Sequence, residues 1–328
     1  MSRITRMAPV YAIALVLGML LIGGCASWRA EKNAPPIGAF IEVDGERIHV
    51  LDIGPKESAL PPVVLIHGAS VNLRDMKLAL GDELAKTRRV LLIDRPGRGY
   101  SSRPHDGWKL DRQAELIHGA VEALGVQRPI VLGQSFGGAV ALSYALHYQD
   151  EMSGLVLLAP VSHEWPGGVA WYNRLSGWPV AGVLFRRLVI PVYAPLAAKG
   201  SVLKSFAPDA APEGYYENAG VSLLFRAKDF RSNAEDLRKL KPQIVAMSGR
   251  YGEIRIPAAV LTGDRDPTVS PKIHSAALAR EIPGVYAEVL EGAGHALHHS
   301  RTARILAAVE RISGAAAAES GRSAVSAR

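Results

Sequence analysis

The sequence has one cysteine, Cys25, in 328 residues, so the chain has no second thiol for an internal disulfide and its stability must come from its core. It has no internal repeat and no dominant charge run, which excludes collagen-like, coiled-coil and wholly disordered chains. Only one stretch, residues 8–22, is apolar and long enough to meet a bilayer, and that excludes a polytopic membrane protein. It also lacks a basic cluster interleaved with aromatics. Lys and Arg outnumber Asp and Glu by 38 to 31, but without such a cluster nucleic acid is not an expected partner. The mild positive excess reads instead as a surface facing anionic lipid, or as a solvated face. What is present is ordinary globular composition, 48% hydrophobic and 21% charged, which fits one compact domain carrying an insertion.

The N-terminus has the layout of an export signal: a short basic start with Arg3 and Arg6, the apolar run 8–22, then Gly23-Gly24-Cys25-Ala26. That last segment resembles a bacterial lipobox, in which small residues precede a cysteine that is lipidated and becomes the new N-terminus. The resemblance implies an exported, membrane-anchored lipoprotein with Cys25 as the lipidation site, held by several acyl chains because each buried methylene contributes only about 0.8 kcal/mol. On this reading residues 1–24 are the signal peptide. Residues 25–38, with Asn33, Pro35 and Pro36, are a tether.

From Phe40 onward short β-branched runs alternate with helical patterns. Strands are expected at 40–43, 47–53, 63–66, 90–93, 130–132, 154–158, 258–261 and 286–290. Helices are expected at 75–86, 112–124, 136–148, 271–280 and 302–312. Several strands are continuous apolar runs, as expected where both faces of a parallel sheet are covered. The alternation stops in residues 161–251, which hold Trp165, Trp171 and Trp178 and the helix-breaking Pro179, Pro191, Pro195, Pro208 and Pro212; this block reads as an insertion that covers something. Residues 39–160 and 252–313 form the α/β core, and the Gly/Ala/Ser-rich 314–328 reads as a disordered tail.

The sharpest chemical signal is Gly133-Gln134-Ser135-Phe136-Gly137, with a strand before it and a helix after it. By composition alone G-x-S-x-G arises by accident about 0.2 times in such a chain, so the strand-turn-helix context carries the weight. A serine hydroxyl is a weak nucleophile until a base takes its proton. Of ten histidines, His295 follows the last strand, where a loop can bring imidazole over Ser135. His118 and His147 fall within helices, His49 within a strand, and His298 and His299 read as packing or surface residues. The base needs a carboxylate to fix its tautomer, and Asp266 is favoured over Asp264 because it lies further past its strand, with Asp264 a turn former. The oxyanion needs donors already aimed at it. Phe136 N–H supplies one, and the second comes from Ala69 N–H, with Ser70 as the alternative; His67 reads as structural.

These motifs, with Asp94-Arg95-Pro96-Gly97-Arg98-Gly99-Tyr100-Ser101, Gly263 to Asp266 and Gly294-His295, resemble the α/β-hydrolase superfamily from Phe40 to about Ile312. The resemblance implies an α/β fold with a mostly parallel eight-stranded sheet wrapped by helices, and a helical cap in 161–251. It makes Asp94 scaffold rather than catalyst. Serine at 135 departs from the epoxide hydrolase and dehalogenase branches, which carry aspartate there. The expected activity is hydrolysis of a carboxylic ester or related acyl substrate through an acyl-enzyme on Ser135, His295 and Asp266, with no metal or organic cofactor. The aromatic insertion suggests a lipophilic ester. Acyl transfer, C–C bond hydrolysis and perhydrolysis use the same triad, and a non-catalytic lipoprotein binding module is the reading from another class.

Overall fold

A computed structural model describes residues 3–326. The eight strands are β1 (Ala39–Val43), β2 (Glu46–Ile53), β3 (Val63–Ile66), β4 (Val90–Ile93), β5 (Ile130–Gln134), β6 (Gly154–Leu158), β7 (Ala258–Gly263) and β8 (Tyr286–Leu290). They form one sheet in the order β1-β2-β4-β3-β5-β6-β7-β8. β1 and β2 pair antiparallel, β2 meets β4 antiparallel, and every later pairing is parallel. β3 to β7 are buried at every residue, whereas the edge strand β8 alternates. The unbroken apolar runs are therefore central strands covered on both faces, as the sequence predicts.

The helices in chain order are α1 (Arg3–Asn33), α2 (Leu73–Met76), α3 (Asp82–Leu84), α4 (Leu110–Ala123), α5 (Phe136–Tyr148), α6 (Trp171–Ser176), α7 (Ala181–Leu184), α8 (Ile190–Phe206), α9 (Tyr215–Asn218), α10 (Ala227–Ser248), α11 (Ser275–Glu281), α12 (Leu297–Ser300) and α13 (Thr302–Ser326). One core lies between the sheet and α4 and α5, with Ile117, Val121, Phe136, Val140 and Tyr144 against β-strand side chains. The other lies under α2, α3 and α13, with Leu73, Leu80, Ile305 and Val309. Burial on both faces is the dominant favourable term holding the sheet, at about 25 cal/mol for each Å² of apolar surface removed from water.

β3 sends its chain one way, to β4, and β5 restarts on β3's other side. The crevice between the carboxyl ends of β3 and β5 is therefore the switch point of the sheet, the place where open α/β sheets bind ligands.

Three expectations about chain organisation differ from what is observed. Residues 25–38 are not a free tether: α1 continues to Asn33, Ala30 and Ala34 are buried against Leu223, and Glu31 pairs with Arg226 at 3.0 Å. The described part of the tail, 314–326, continues α13, because Ala-rich sequence propagates a helix once the amphipathic 302–313 segment has nucleated it on the sheet. In the insertion, Pro191 and Pro195 do not stop helix formation. The chain runs from α7 through a π-turn at Phe185–Val189 into α8, where Pro191 falls in the first turn, a position that tolerates proline, and Pro195 lies inside the helix. Met1, Ser2 and residues 327–328 of the expected leader and tail lie outside the described residues.

Candidate active site

β5 ends at Gln134, and Ser135 turns the chain into α5 with φ 55° and ψ −115°. That is a left-handed backbone on a residue with a Cβ, which costs of order 1–3 kcal/mol and persists only where the surroundings enforce it. The surroundings are backbone: Ser135 N–H donates to Leu158 O at 2.9 Å, and Ser135 O accepts from Gly138 N at 3.0 Å and Val161 N at 3.2 Å. The turn also needs both flanking glycines. A Cβ on Gly133 would collide with Gly137 O, and one on Gly137 with Ile66 O. The hydroxyl is thereby thrust out over the switch point.

His295 lies in the loop between β8 and α12. Its Nε2 is 3.0 Å from Ser135 Oγ, and its Nδ1 is 2.7 Å from Asp266 Oδ2. The remaining oxygen of Asp266 accepts Thr268 N at 2.7 Å and Val269 N at 2.9 Å, so the carboxylate is fixed by the loop that follows β7. Ser135, Asp266 and His295 are 7%, 9% and 9% exposed, which keeps the relay largely out of water. Asp264, the alternative carboxylate, is exposed. It takes the turn position and has no contact with His295.

The loop after β3 faces the same point. Ser70 has φ 63°, and its N–H donates to Asn233 Oδ1 at 2.7 Å while Asn233 Nδ2 donates to Ser70 Oγ at 3.1 Å. Ser70 N–H is thus committed to Asn233 and is not free to meet a ligand. Phe136 N–H opens α5. Arg95, fully buried, bonds His67 O, Gly68 O, Gln113 and Asp236 and stacks over the Phe136 ring at 4.2 Å. His67 donates from Nδ1 to Gly68 O and accepts Arg95 N–H at Nε2. Burial, and secondly the Arg95 charge, push its pKa down to about 3, so it remains a neutral structural ring. Asp94 accepts Leu73 N–H, Tyr100 N–H and His49 Nδ1–H, which makes it scaffold.

Two features of the site have no local sequence signal. Asn233 comes from α10, 163 residues from Ser70. Asp75, on α2, receives Tyr215 Oη at 2.6 Å, His298 Nε2 at 2.9 Å and His299 Nε2 at 2.9 Å. The His298-His299 doublet is therefore packed inside rather than at the surface, and it ties the α12 end of the His295 loop to α2 and α9. Asp75, His298 and His299 also bring three metal-ligand atoms within 4.8 Å of one another, and both histidine Nε2 atoms already spend themselves on hydrogen bonds to the carboxylate. Despite burial, the two histidines hold Asp75 well below the ordinary carboxylate range.

A sharp serine turn at the switch point of a mostly parallel sheet, with histidine and aspartate following later strands, defines the α/β-hydrolase fold. The family model described as alpha/beta hydrolase fold matches residues 61–179. A 2-hydroxymuconate semialdehyde hydrolase of Pseudomonas putida is 29% identical over 292 residues, covering 84% of this chain and 95% of its own. A monoacylglycerol lipase of Homo sapiens is 26% identical, covering 72% and 70%. Among solved structures, an enol-lactonase from Burkholderia xenovorans superposes with a TM-score of 0.66 at 21% identity, over 84% of this chain and 99% of that one. The family model and relatives support placing the chain in the α/β-hydrolase superfamily, and they support hydrolase activity.

Proposed function

We propose that the protein is a serine hydrolase that cleaves a carboxylic ester through an acyl-enzyme. Ser135 Oγ attacks the carbonyl carbon as His295 Nε2 takes its proton, and Asp266 stabilises the imidazolium. Ala69 and Phe136 N–H hold the oxyanion. His295 returns the proton to the departing alkoxide as the C–O bond breaks. Water, deprotonated by the same imidazole, then attacks the acyl carbon and releases the acid and Ser135. The observation that carries this reading is the unbroken relay from Ser135 Oγ through both His295 nitrogens to Asp266.

The acyl substrate is apolar and uncharged. Arg95, which stacks on Phe136, and the buried Arg98 are committed to Asp236, Gln113 and backbone carbonyls. The insertion contributes the apolar rings of Phe185 and Phe230, packed edge to face. C–C bond hydrolysis is the second reading, favoured by the relative that acts on 2-hydroxymuconate semialdehyde across nearly its whole length.

A fluorophosphonate probe tests the chemistry. It labels the wild type and not Ser135→Ala, whereas an unreactive wild type refutes catalysis. Ester hydrolysis with no turnover of the semialdehyde selects the first reading, and the reverse selects the second. We further propose that the protein is exported and anchored in the membrane through a lipid on Cys25, which is exposed on α1. Cys25→Ser then abolishes incorporation of labelled fatty acid.

A further inference from the structure

The exposed large apolar side chains are not spread over the molecule. Among the described residues, all but four lie on two segments, α1 and 171–196 of the insertion. In the insertion Trp171 is 63% exposed, Trp178 61%, Val180 72%, Leu184 49%, Tyr193 64% and Leu196 80%. Isolated exposed apolar residues are ordinary, but a concentration of this size on one element marks a surface that meets something.

The two segments adjoin. α1 packs along the π-turn and α8, and Gly23 lies so close that a Cβ there would crowd Arg187 O and Pro191. Ala26, Arg29 and Ala30 form a shared groove with Pro191 and Pro195. Cys25 therefore sits beside the insertion's apolar face, two residues from the Gly23 contact. Whether the leader is kept as an apolar helix or cut before a lipidated Cys25, the point where the chain enters lipid borders this face. Exposed Arg174 and Arg187 lie within the face, and Arg29 and Lys32 sit on the adjoining turn of α1. A face that mixes tryptophan, tyrosine and aliphatics with arginines at its rim has the composition of an interfacial segment, which rests apolar side down about 5–10 Å into the headgroup boundary.

We propose that residues 171–196 form a second, monotopic contact with an anionic phospholipid bilayer, so that the folded body lies cap-down on the membrane instead of swinging from its anchor. The contact needs no catalytic residue. It rests on the proposed anchoring only for where the lipid is, and the test separates the two.

Tryptophan quenching by brominated phosphatidylcholine in vesicles containing phosphatidylglycerol reads both contacts in the full-length chain. Trp28, on α1 and 60% exposed, reports the anchor; Trp171 and Trp178 report the cap. The expected result is quenching that drops by more than half in the Trp171→Phe, Trp178→Phe double variant. The same drop is expected in Val180→Glu, Leu196→Glu, whose sites are too exposed to unfold the protein. Binding to vesicles through α1 persists in both. Quenching confined to Trp28 overturns the proposal while leaving the anchor standing, as does cap quenching that survives the two glutamates. If Trp171 and Trp178 are shielded from acrylamide in a sedimenting dimer and untouched by bromolipid, the face belongs to a second copy of the chain and the proposal falls.

Discussion

Asp266 with His295, and Asp94 with His49, are two Asp–His pairs of the same length, 2.7 Å from carboxylate oxygen to Nδ1. Both are buried, and in both the imidazole keeps its proton on Nδ1. They differ at the other nitrogen. His295 Nε2 faces the hydroxyl of Ser135, and His49 Nε2 accepts the backbone N–H of Gly38 at 3.1 Å. A peptide N–H is neither nucleophile nor proton donor to a leaving group, so the second pair clamps the start of β1 to the loop after β4. The difference shows that a charge-assisted Asp–His bond is a structural unit, and that chemistry enters only through what it is aimed at.

The largest test breaks the first pair's target. Ser135→Ala and His295→Ala each lower kcat by about 10⁶-fold, because members of such a relay act as a unit, while circular dichroism stays unchanged. His49→Ala leaves turnover per folded molecule near wild type and lowers Tm.

Removing the carboxylates sharpens the contrast. Asp266→Asn leaves the geometry but favours the wrong tautomer and lowers kcat by about 10⁴-fold, with little change in urea midpoint. Asp94→Asn strands His49 and weakens the bonds to Leu73 and Tyr100 N–H, costing about 3 kcal/mol, read as a lower urea midpoint with kcat of the folded fraction kept.

The neutral histidines under the site give a pH signature that belongs to the scaffold. His67 has a folded pKa of about 3, and His274, whose Nδ1 accepts Ser162 N–H at 3.2 Å and His163 N–H at 3.1 Å beyond β6, has one of about 4, both lowered mainly by burial. Below about pH 6.5 the unfolded chain binds protons that the folded one does not. Stability is therefore full above that pH and falls progressively on acidification until the folded values are reached, by a few kcal/mol in all. Chemical denaturation between pH 7 and pH 4 measures it, and His67→Gln flattens the profile. An unchanged urea midpoint across that range would contradict the neutral state of folded His67.

How far the sequence reached follows the same division between local and long-range chemistry. The central strands were legible because burial on both faces writes a continuous apolar run, and the serine turn because its strain demands glycines at fixed offsets. Asp266 was separable from Asp264 by distance past β7 alone. What could not be read was held by partners far apart in the chain: Asn233 on Ser70, the Asp75 cluster joining residues 223 apart, and the docking of Ala30 and Ala34 on Leu223. In each case neither partner carries a sign of the other. The insertion's helices were hidden because proline ordinarily breaks a helix interior, whereas Pro191 sits in the first turn of α8 and Pro195 within it.

The smallest effect concerns Asn233, which carries the comparison from pairs to single hydrogen bonds. It touches no reacting atom in the proposed mechanism, yet its two hydrogen bonds hold Ser70, the residue that follows Ala69, in a positive-φ backbone. Losing an oxyanion donor outright costs about 3 kcal/mol; loosening one that remains costs a fraction of that. Asn233→Ala therefore lowers kcat by about tenfold with KM nearly unchanged. Asn233→Asp keeps an acceptor for Ser70 N–H, and the serine hydroxyl can rotate to donate to it, so it restores much of the rate. A purely structural role would instead lower Tm in both variants and leave kcat per folded molecule alone. Steady-state kinetics on a soluble ester, corrected for folded fraction, tells the two roles apart.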